Sequence, residues 1–230
     1  MSLRGKFPQT PILCYVTDRK SLGSQGAGHS RTELLRCITA AARAGVAWIQ
    51  IREKDLSGKE ISLIVRDVMV LARQTQRDRP PRVLVNDRLD VALAEHAGGV
   101  HLGENSLPTA NVSQWLGWLP NHSARQDFLV GVSCHSLNTA MKAERDGAGY
   151  IFFGPVFSTP SKAVFGEPQG LSRLEEVCAA VSIPVLAIGG ITIENASSCV
   201  KAGAAGIAAI RLFQVATDLP ALLQQLRATF

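Results

Sequence analysis

The chain has 230 residues, of which 46% are hydrophobic and 19% charged, and its 24 Lys and Arg against 19 Asp and Glu give a formal net charge of +5. This composition is typical of a globular protein and excludes a disordered, collagen-like or coiled-coil chain. No apolar stretch reaches the ~18 residues of a membrane helix and no signal peptide is recognisable, so we expect a cytoplasmic protein with no membrane partner.

The basic residues and the cysteines argue against two further classes of protein. The densest basic group lies between Arg73 and Arg82, where Asp78 and two prolines interrupt it. A nucleic-acid-binding arm needs a longer unmixed run, so a solvated loop is favoured and no nucleic-acid partner is expected. The five cysteines are odd in number, far apart and without a Cys-x-x-Cys pair, which indicates reduced thiols rather than disulfides or a zinc site.

Short apolar runs alternate along the chain with longer segments of helical spacing. The runs show little polar alternation, which is typical of parallel strands buried on both faces. Strands are predicted at 12–17, 47–51, 82–85, 99–102, 128–133, 150–153, 184–188 and 206–210. Helices are predicted around the apolar faces of 34–42 and 61–72 and at 89–96, 110–116, 137–146, 171–180, 193–202 and 219–229. Glycines at 45, 98, 147 and 203 suit left-handed helix C-caps.

Strict alternation of eight strands with eight helices predicts the fold class. Repeated βα units form a parallel sheet, and eight of them close into a (β/α)8 TIM barrel of the α/β class. A doubly wound open sheet is the alternative, but the segment after the first strand, Thr17-Asp18-Arg19-Lys20, lacks a Gly-x-Gly-x-x-Gly turn. No linker divides the chain. We therefore predict a single domain over residues 1–230, with 1–10 as an extended N-terminal segment.

The active site of such a barrel lies at the C-terminal ends of its strands, and two groups of residues there suggest a phosphorylated ligand. Gly189 and Gly190 stand between the seventh strand and its helix, where backbone N–H groups attract anions. Arg52, Lys54 and Lys162 converge on the same rim, where three cations would repel one another without an anion. The alternative for Arg52 is a rim salt bridge with the neighbouring Glu53 or with Asp87.

Five residues at or near the predicted strand ends carry further chemical groups of interest. Asp87 is a candidate Mg²⁺ ligand, because Mg²⁺ holding a diphosphate needs one or two carboxylates, and the adjacent Asn86 could bind a phosphate or a ring group. His135 is either a general base or an orienting, hydrogen-bonded histidine. His101 follows a buried run and is expected to be a satisfied structural residue, as Cys134 is expected to pack as a small hydrophobe.

Seven motifs, in order along nearly the whole barrel, resemble those of the thiamine phosphate synthase family, which includes the related TenI-type thiazole tautomerases. The longest is Ile-Gln-Ile-Arg-Glu-Lys at 49–54. The others lie at 85–88, 99–103, 131–133, 154–157, 159–162 and 187–191. The resemblance implies a Mg²⁺-dependent transferase that joins hydroxymethylpyrimidine diphosphate to hydroxyethylthiazole phosphate, releasing diphosphate and giving thiamine phosphate.

The resemblance also implies roles for individual residues. Asp87 would ligate Mg²⁺, and Ser133 would lie near the diphosphate and the reacting methylene. The pyrimidine diphosphate would contact Gln50, Arg52, Lys54, Asn86 and Lys162. The thiazole phosphate would contact Gly189 and its neighbours with the turn after strand eight, and Thr159 and Ser161 would line that side. Chemistry in which the diphosphate leaves first needs stabilisation of the leaving group more than a strong base.

The sequence departs from the family pattern at two positions. Ser106 stands where the synthases usually carry an Asp that is a second Mg²⁺ ligand, and Glu104 or Asn105 could substitute for it. Arg211 stands where a small Ser is usual, and its guanidinium could grip the thiazole phosphate or fill its pocket.

These departures keep two alternatives to the synthase open. The first is a thiazole tautomerase, which acts on a thiazole carboxylate phosphate and uses a histidine that resembles His135. The second is a non-catalytic binder of thiamine precursors. Retention of the cations with Asn86 and Asp87 favours the synthase, because a tautomerase has no diphosphate to hold. Small phosphorylated molecules are the expected partners, and homo-oligomerisation stays open.

Overall fold

The computed structural model describes residues 10–22, 31–75, 80–103, 105–118, 127–159 and 167–230. The predicted N-terminal extension, apart from Thr10, lies outside these residues. Eight parallel strands pair in chain order, and the eighth pairs with the first, so the sheet is a closed barrel. The strands are β1 Ile12–Val16, β2 Trp48–Ile51, β3 Arg82–Asn86, β4 Gly99–Leu102, β5 Leu129–Cys134, β6 Tyr150–Phe153, β7 Val185–Ile188 and β8 Gly206–Ala209. The predicted (β/α)8 barrel is confirmed, with strand ends within one residue of those expected.

Helices follow the strands and form the outer layer. In the described part of the chain they are α1 Arg31–Ala44, α2 Gly58–Gln74, α3 Leu89–Ala94, α4 Thr109–Trp118, α5 Leu137–Arg145, α6 Gly170–Ala180, α7 Ile193–Lys201, α8 Arg211–Gln214 and α9 Leu219–Thr229. The four-residue α8 was not predicted, because four residues are too few to show a helical period. It starts at Arg211, which therefore opens a helix rather than a turn.

Alternation along the strands creates two apolar layers. Side chains pointing inward form a small core inside the barrel, made of Ile12, Cys14, Val16, Trp48, Leu84, Tyr150, Phe152, Leu186 and Ala208. Side chains pointing outward join the apolar faces of the helices in a larger core. Cys134 is buried in that outer core, as predicted for a small hydrophobe. Because both faces of each strand are covered, the polar residues at the strand ends are the ones left for a site.

One close approach inside the barrel depends on a glycine. Gly131 on β5 lies opposite Tyr150 on β6 in the strand register. A Cβ at Gly131 would lie 1.9 Å from Cζ of Tyr150, so only glycine leaves room for the phenol ring. The ring packs edge-on against Trp48 with centroids 4.9 Å apart. Tyr150 is therefore held in one place in the barrel interior.

Two further expectations can be compared with the structure. No disulfide joins any of the five cysteines, all of which lie in the described part of the chain. Among the helices of the same part, none is long and apolar enough to cross a membrane.

Candidate active site

Polar side chains at the ends of β2 and β3 meet at the mouth of the barrel. Gln50 is only 1% exposed, and its amide donates to Oδ1 of Asn86 at 3.1 Å. The Asn86 amide in turn donates to Oδ2 of Asp87 at 2.8 Å. The three residues form a continuous line from the barrel interior to an exposed carboxylate. This line fixes the donors and acceptors that Gln50 and Asn86 present to a ligand.

The acidic residue next to Arg52 is turned away from it. Glu53 is 4% exposed and accepts hydrogen bonds from the Thr17 hydroxyl at 2.7 Å and from the Arg19 guanidinium at 3.2 Å. Arg19 also donates its backbone N–H to Glu53, and its guanidinium bonds Asp55, which lowers the pKa of that exposed carboxyl below its usual range. The Thr17 hydroxyl accepts from the backbone N–H of Arg52 at 2.9 Å. We call Thr17, Arg19 and Glu53 the β1–β2 clamp.

Arg52 is consequently a half-buried cation at the mouth that has no acidic partner among the residues that the structure describes. In this described part of the chain, no carboxylate lies within 4 Å of its guanidinium. Glu53 pairs with Arg19 instead, and Asp87 accepts hydrogen bonds from Asn86 and Ser106. The predicted alternative of a rim salt bridge therefore does not form there. Lys54 is exposed beside it. An unpaired Arg in a partly desolvated position is suited to bidentate binding of an anion.

Asp87 lies with Ser106, at the position where the family's second carboxylate was expected. Asp87 has φ = 61°, in the left-handed region that few non-glycine residues adopt, and its N–H donates to the His101 carbonyl at 2.9 Å. The Ser106 hydroxyl donates to the Asp87 carboxylate and accepts from the Gly103 N–H at 2.6 Å. Ser106, on the loop after β4, is therefore a direct neighbour of Asp87, which follows β3.

The oxygen donors at this place suit a magnesium ion that the substrate helps to bind. Among the described residues no three His, Cys, Asp or Glu side chains cluster as a complete metal site. Mg²⁺ keeps several waters and is commonly held by one or two carboxylates together with substrate phosphates. One carboxylate from Asp87 and one hydroxyl from Ser106 meet that smaller requirement.

His101 lies below the mouth and links two strands. Its Nδ1 is 3.0 Å from the Tyr150 hydroxyl and its Nε2 is 2.9 Å from the Ser133 hydroxyl. The ring stacks on Phe152 with centroids 4.3 Å apart. Burial, with a smaller contribution from the charge of Arg52, lowers the pKa of His101 to about 3, so its imidazole is neutral. The expectation of a satisfied buried histidine holds, but its contact with Ser133 and the part played by Tyr150 were missed.

His135 is half-buried just beyond β5. Its Nδ1 bonds the carbonyl of Gly154, which requires a proton on Nδ1 and leaves Nε2 as the basic atom of the neutral ring. Its backbone N–H bonds the Thr139 hydroxyl at 3.3 Å. The ring is thus oriented by the β6 end, and an orienting and a proton-transferring role both fit this geometry.

The glycine pair after β7 forms the opposite side of the mouth. Gly189 and Gly190 have φ of 95° and 65°, and added Cβ atoms would lie 2.6 Å from Pro155 and 2.5 Å from the Ser158 carbonyl. Asn195 fixes the turn by accepting from the Thr192 N–H and donating to the Gly190 carbonyl, both at 2.9 Å. The turn leads directly into α7. A tight glycine turn at a helix start is suited to a phosphate.

The remaining predicted residues are only partly described. Thr159 is half-buried at the end of a described segment, and Ser161 and Lys162 lie outside the described residues. Arg211 is exposed beside the end of β8. Their roles stay predictions.

The closed parallel barrel carries a half-buried arginine, a carboxylate and a glycine turn at its C-terminal mouth, the arrangement of a (β/α)8-barrel enzyme. The family model described as thiamine monophosphate synthase matches residues 13–213. The chain belongs to this family.

Individual relatives agree with that assignment. The chain is 41% identical over 198 residues to a putative thiamine-phosphate synthase of Geobacter sulfurreducens, covering 86% of this chain and 84% of the relative. It is 39% identical over 203 residues to the thiamine-phosphate synthase of Chlorobium luteolum, covering 88% and 85%. The solved structure of thiamine phosphate pyrophosphorylase from Pyrococcus furiosus superposes with a TM-score of 0.76 at 31% identity, covering 95% and 94%.

Proposed function

We propose that this protein is a thiamine phosphate synthase, which condenses hydroxymethylpyrimidine diphosphate with hydroxyethylthiazole phosphate to give thiamine phosphate and diphosphate. The relatives named for this activity support the reaction. The observation that carries the site is Arg52, a half-buried guanidinium without a carboxylate partner among the described residues, beside the exposed Asp87. These two side chains suit a diphosphate, which Arg52 would bind directly and Asp87 would bind through a metal ion.

The residues act by binding and by stabilising charge. Arg52, Lys54 and Lys162 bind the diphosphate, and their positive charges offset the negative charge that develops as the bond to the pyrimidine methylene breaks. Gln50 and Asn86 orient the pyrimidine with their linked amides. Ser133, next to His101, donates a hydrogen bond to the departing group.

Mg²⁺, when bound by Asp87 and Ser106, supplies further neutralisation of the diphosphate.

The second substrate binds on the side of the mouth opposite the diphosphate. Gly189 and Gly190, with Thr159 and Ser161, hold the thiazole phosphate, and Arg211 adds a positive charge on the β8 side. His135 orients the end of β6 through the Gly154 carbonyl. The C–O bond to the diphosphate breaks first and its electron pair departs with the diphosphate, and the thiazole nitrogen then attacks the methylene carbon to form the C–N bond.

The direct test is incubation of the folded protein with both substrates and Mg²⁺, followed by mass detection of thiamine phosphate. Controls omit the thiazole phosphate or add a chelator. Product that requires both substrates supports the synthase. No product from folded protein overturns it and favours the tautomerase, for which conversion of thiazole carboxylate phosphate and its loss in His135→Ala are the readouts.

Ser106→Asp is expected to lower the Mg²⁺ concentration for half-maximal activity about tenfold, because a second carboxylate beside Asp87 increases the attraction for a divalent ion. The measurement is a Mg²⁺ titration of thiamine phosphate formation. Ser106→Asn is the control, because asparagine has the shape of aspartate without its charge. It should not lower the Mg²⁺ concentration for half-maximal activity. An identical titration for the wild type and Ser106→Asp would remove Ser106 from the metal site.

We also infer that the enzyme acts in the cytoplasm on small phosphorylated molecules and needs neither nucleic acid nor a membrane. The absence of disulfides among the five thiols supports a reducing compartment.

A further inference from the structure

Three hydrogen-bonded side chains lead from the barrel interior to the mouth. Tyr150 stands at the start of β6, His101 in the middle of β4 and Ser133 near the end of β5. The Tyr150 hydroxyl is 3.0 Å from Nδ1 of His101, and Nε2 of His101 is 2.9 Å from the Ser133 hydroxyl. Tyr150 and His101 are buried, and Ser133 is half-buried. We call this line of side chains the Tyr–His–Ser relay.

The position of Tyr150 is built for this contact. Gly131 leaves the space that the phenol ring occupies, and Trp48 packs on the ring from the side. Phe152 stacks on the imidazole of His101. Both rings are packed against neighbouring aromatic side chains, so close packing favours the orientations that make the two hydrogen bonds.

Hydrogen-bond accounting sets the direction of the relay. The Tyr150 phenol stays protonated, because burial raises its pKa well above the ordinary value. Among the described residues its hydroxyl has one hydrogen-bond partner, Nδ1 of His101. If Tyr150 donates to Nδ1, the neutral imidazole carries its proton on Nε2 and donates to Ser133. The reverse direction would leave the buried phenol hydrogen without an acceptor, which is the costlier arrangement.

We propose that Tyr150 and His101 are positioning residues that make Ser133 a hydrogen-bond donor toward the mouth. Because Ser133 already accepts a hydrogen bond from Nε2 of His101, its own hydrogen is available for an anionic substrate oxygen. In the opposite direction Ser133 would spend its single hydrogen on His101 and present only lone pairs to a diphosphate. The Ser133 hydroxyl by itself can either donate to His101 or accept from it. Tyr150, inside the barrel, determines which of the two occurs. The inference rests on the proposed function for the identity of the anion.

The tautomer of His101 can be read directly in the substrate-free protein. Two-bond ¹H–¹⁵N correlation spectra of labelled protein resolve protonated from unprotonated imidazole nitrogens in its five histidines. The His101 signals are assigned by comparison with His101→Gln, or with Ser133→Ala if the first variant does not fold. We expect an unprotonated Nδ1 and a protonated Nε2 in the wild type. In Tyr150→Phe the preference for this single tautomer should be lost.

Kinetics then test whether the relay acts through Ser133. Tyr150→Phe should lower kcat about 3- to 10-fold, the range for a lost neutral hydrogen bond, because His101 then also adopts the tautomer that uses up the Ser133 hydrogen. In a Ser133→Ala background the same substitution should change kcat less than about 1.5-fold, because two residues that act through one contact are not additive. Tyr15→Phe is the matched control. The chain has two tyrosines, and Tyr15 packs outside the barrel against Phe213 with centroids 5.9 Å apart. It should leave both the tautomer and kcat unchanged.

A wild-type His101 protonated on Nδ1, an unchanged tautomer in Tyr150→Phe, or additive effects in the double variant would each overturn the relay. These outcomes are separate from a failure of the proposed function. If the wild type makes no thiamine phosphate, the reaction is wrong, while the tautomer measured without substrate still decides the direction of the relay.

Discussion

Replacing Arg52 with alanine is expected to lower kcat/KM for hydroxymethylpyrimidine diphosphate about 100- to 1,000-fold while leaving the fold intact. The guanidinium is half-buried at the mouth and has no carboxylate partner among the described residues, so its hydrogen bonds are available for the substrate. Two charge-assisted hydrogen bonds to one anion are worth several kcal/mol together. Steady-state assays with varied diphosphate substrate and circular dichroism of the same samples check both parts of the expectation.

Two variants sharpen the Arg52 experiment. Arg52→Lys keeps the charge without the planar fork, so it should recover part of the loss. Arg145→Ala removes an exposed arginine at the end of α5 and should behave like the wild type. The proposed diphosphate site is misplaced if Arg52→Ala retains the wild-type rate. From the family resemblance alone, Lys162→Ala is expected to be as harmful as Arg52→Ala.

Glu53→Ala is expected to lower the free energy of unfolding by about 2–4 kcal/mol, because two donors lose their acceptor while Arg19 keeps its ion pair with Asp55. The carboxylate side chain is 1% exposed and accepts from Thr17 and from both the guanidinium and the backbone of Arg19. Its loss leaves the Thr17 hydroxyl and the Arg19 backbone N–H without this acceptor, whereas the Arg19 guanidinium keeps Asp55. Urea unfolding followed by circular dichroism measures the change.

Glu33→Ala is the matched control for Glu53→Ala. Glu33 also pairs with an arginine, Arg36, but on the exposed surface of α1, where ion pairs contribute little. Its unfolding midpoint should stay close to that of the wild type. Equal midpoints for Glu53→Ala and Glu33→Ala would show that the clamp does not stabilise the barrel.

The barrel itself could be predicted because its signals are local. Each buried strand is a short apolar run and each long helix has an apolar face, so the order of the elements follows from the chain. Local patterns do not identify the partner of each polar residue. Glu53 adjoins Arg52 in the sequence, yet strand alternation sends the two side chains to opposite faces, and Glu53 pairs with Arg19 on another strand end.

Helix ends illustrate the same limit. Gly45, Gly147 and Gly203 have φ near 92–101°, as predicted for left-handed caps. At the end of α3 the prediction for Gly98 is wrong, because His96 takes the positive φ of 54°. Gly98 is needed for space instead, since a Cβ there would lie 2.6 Å from Cγ of Arg82. The sequence alone does not show whether a glycine is required for a positive φ or for close packing against a neighbouring side chain.

The Tyr–His–Ser relay was unpredictable for a related reason. Tyr150 opens an apolar run, and the run predicts a strand but no role for the phenol hydroxyl. Whether an inward side chain on β6 reaches one on β4 depends on the tilt and stagger of the closed barrel, which set the heights of side chains inside it. The space opposite Tyr150 also comes from a glycine on another strand. Ser133 could be placed near the diphosphate by resemblance, but the hydrogen-bond partners that orient it required coordinates.

The burial of Glu53 in the β1–β2 clamp has a consequence for how substrate arrives. By taking the Glu53 carboxylate out of the mouth, the clamp leaves Arg52 and Lys54 as the charged side chains of the β2 end, where they outnumber the single carboxylate of Asp87. A positive potential inside low-dielectric walls attracts multiply charged anions before any contact is made, and dissolved salt weakens that attraction over roughly 10 Å. The capture rate for a diphosphate should therefore depend on ionic strength much more steeply than the turnover of substrate that is already bound.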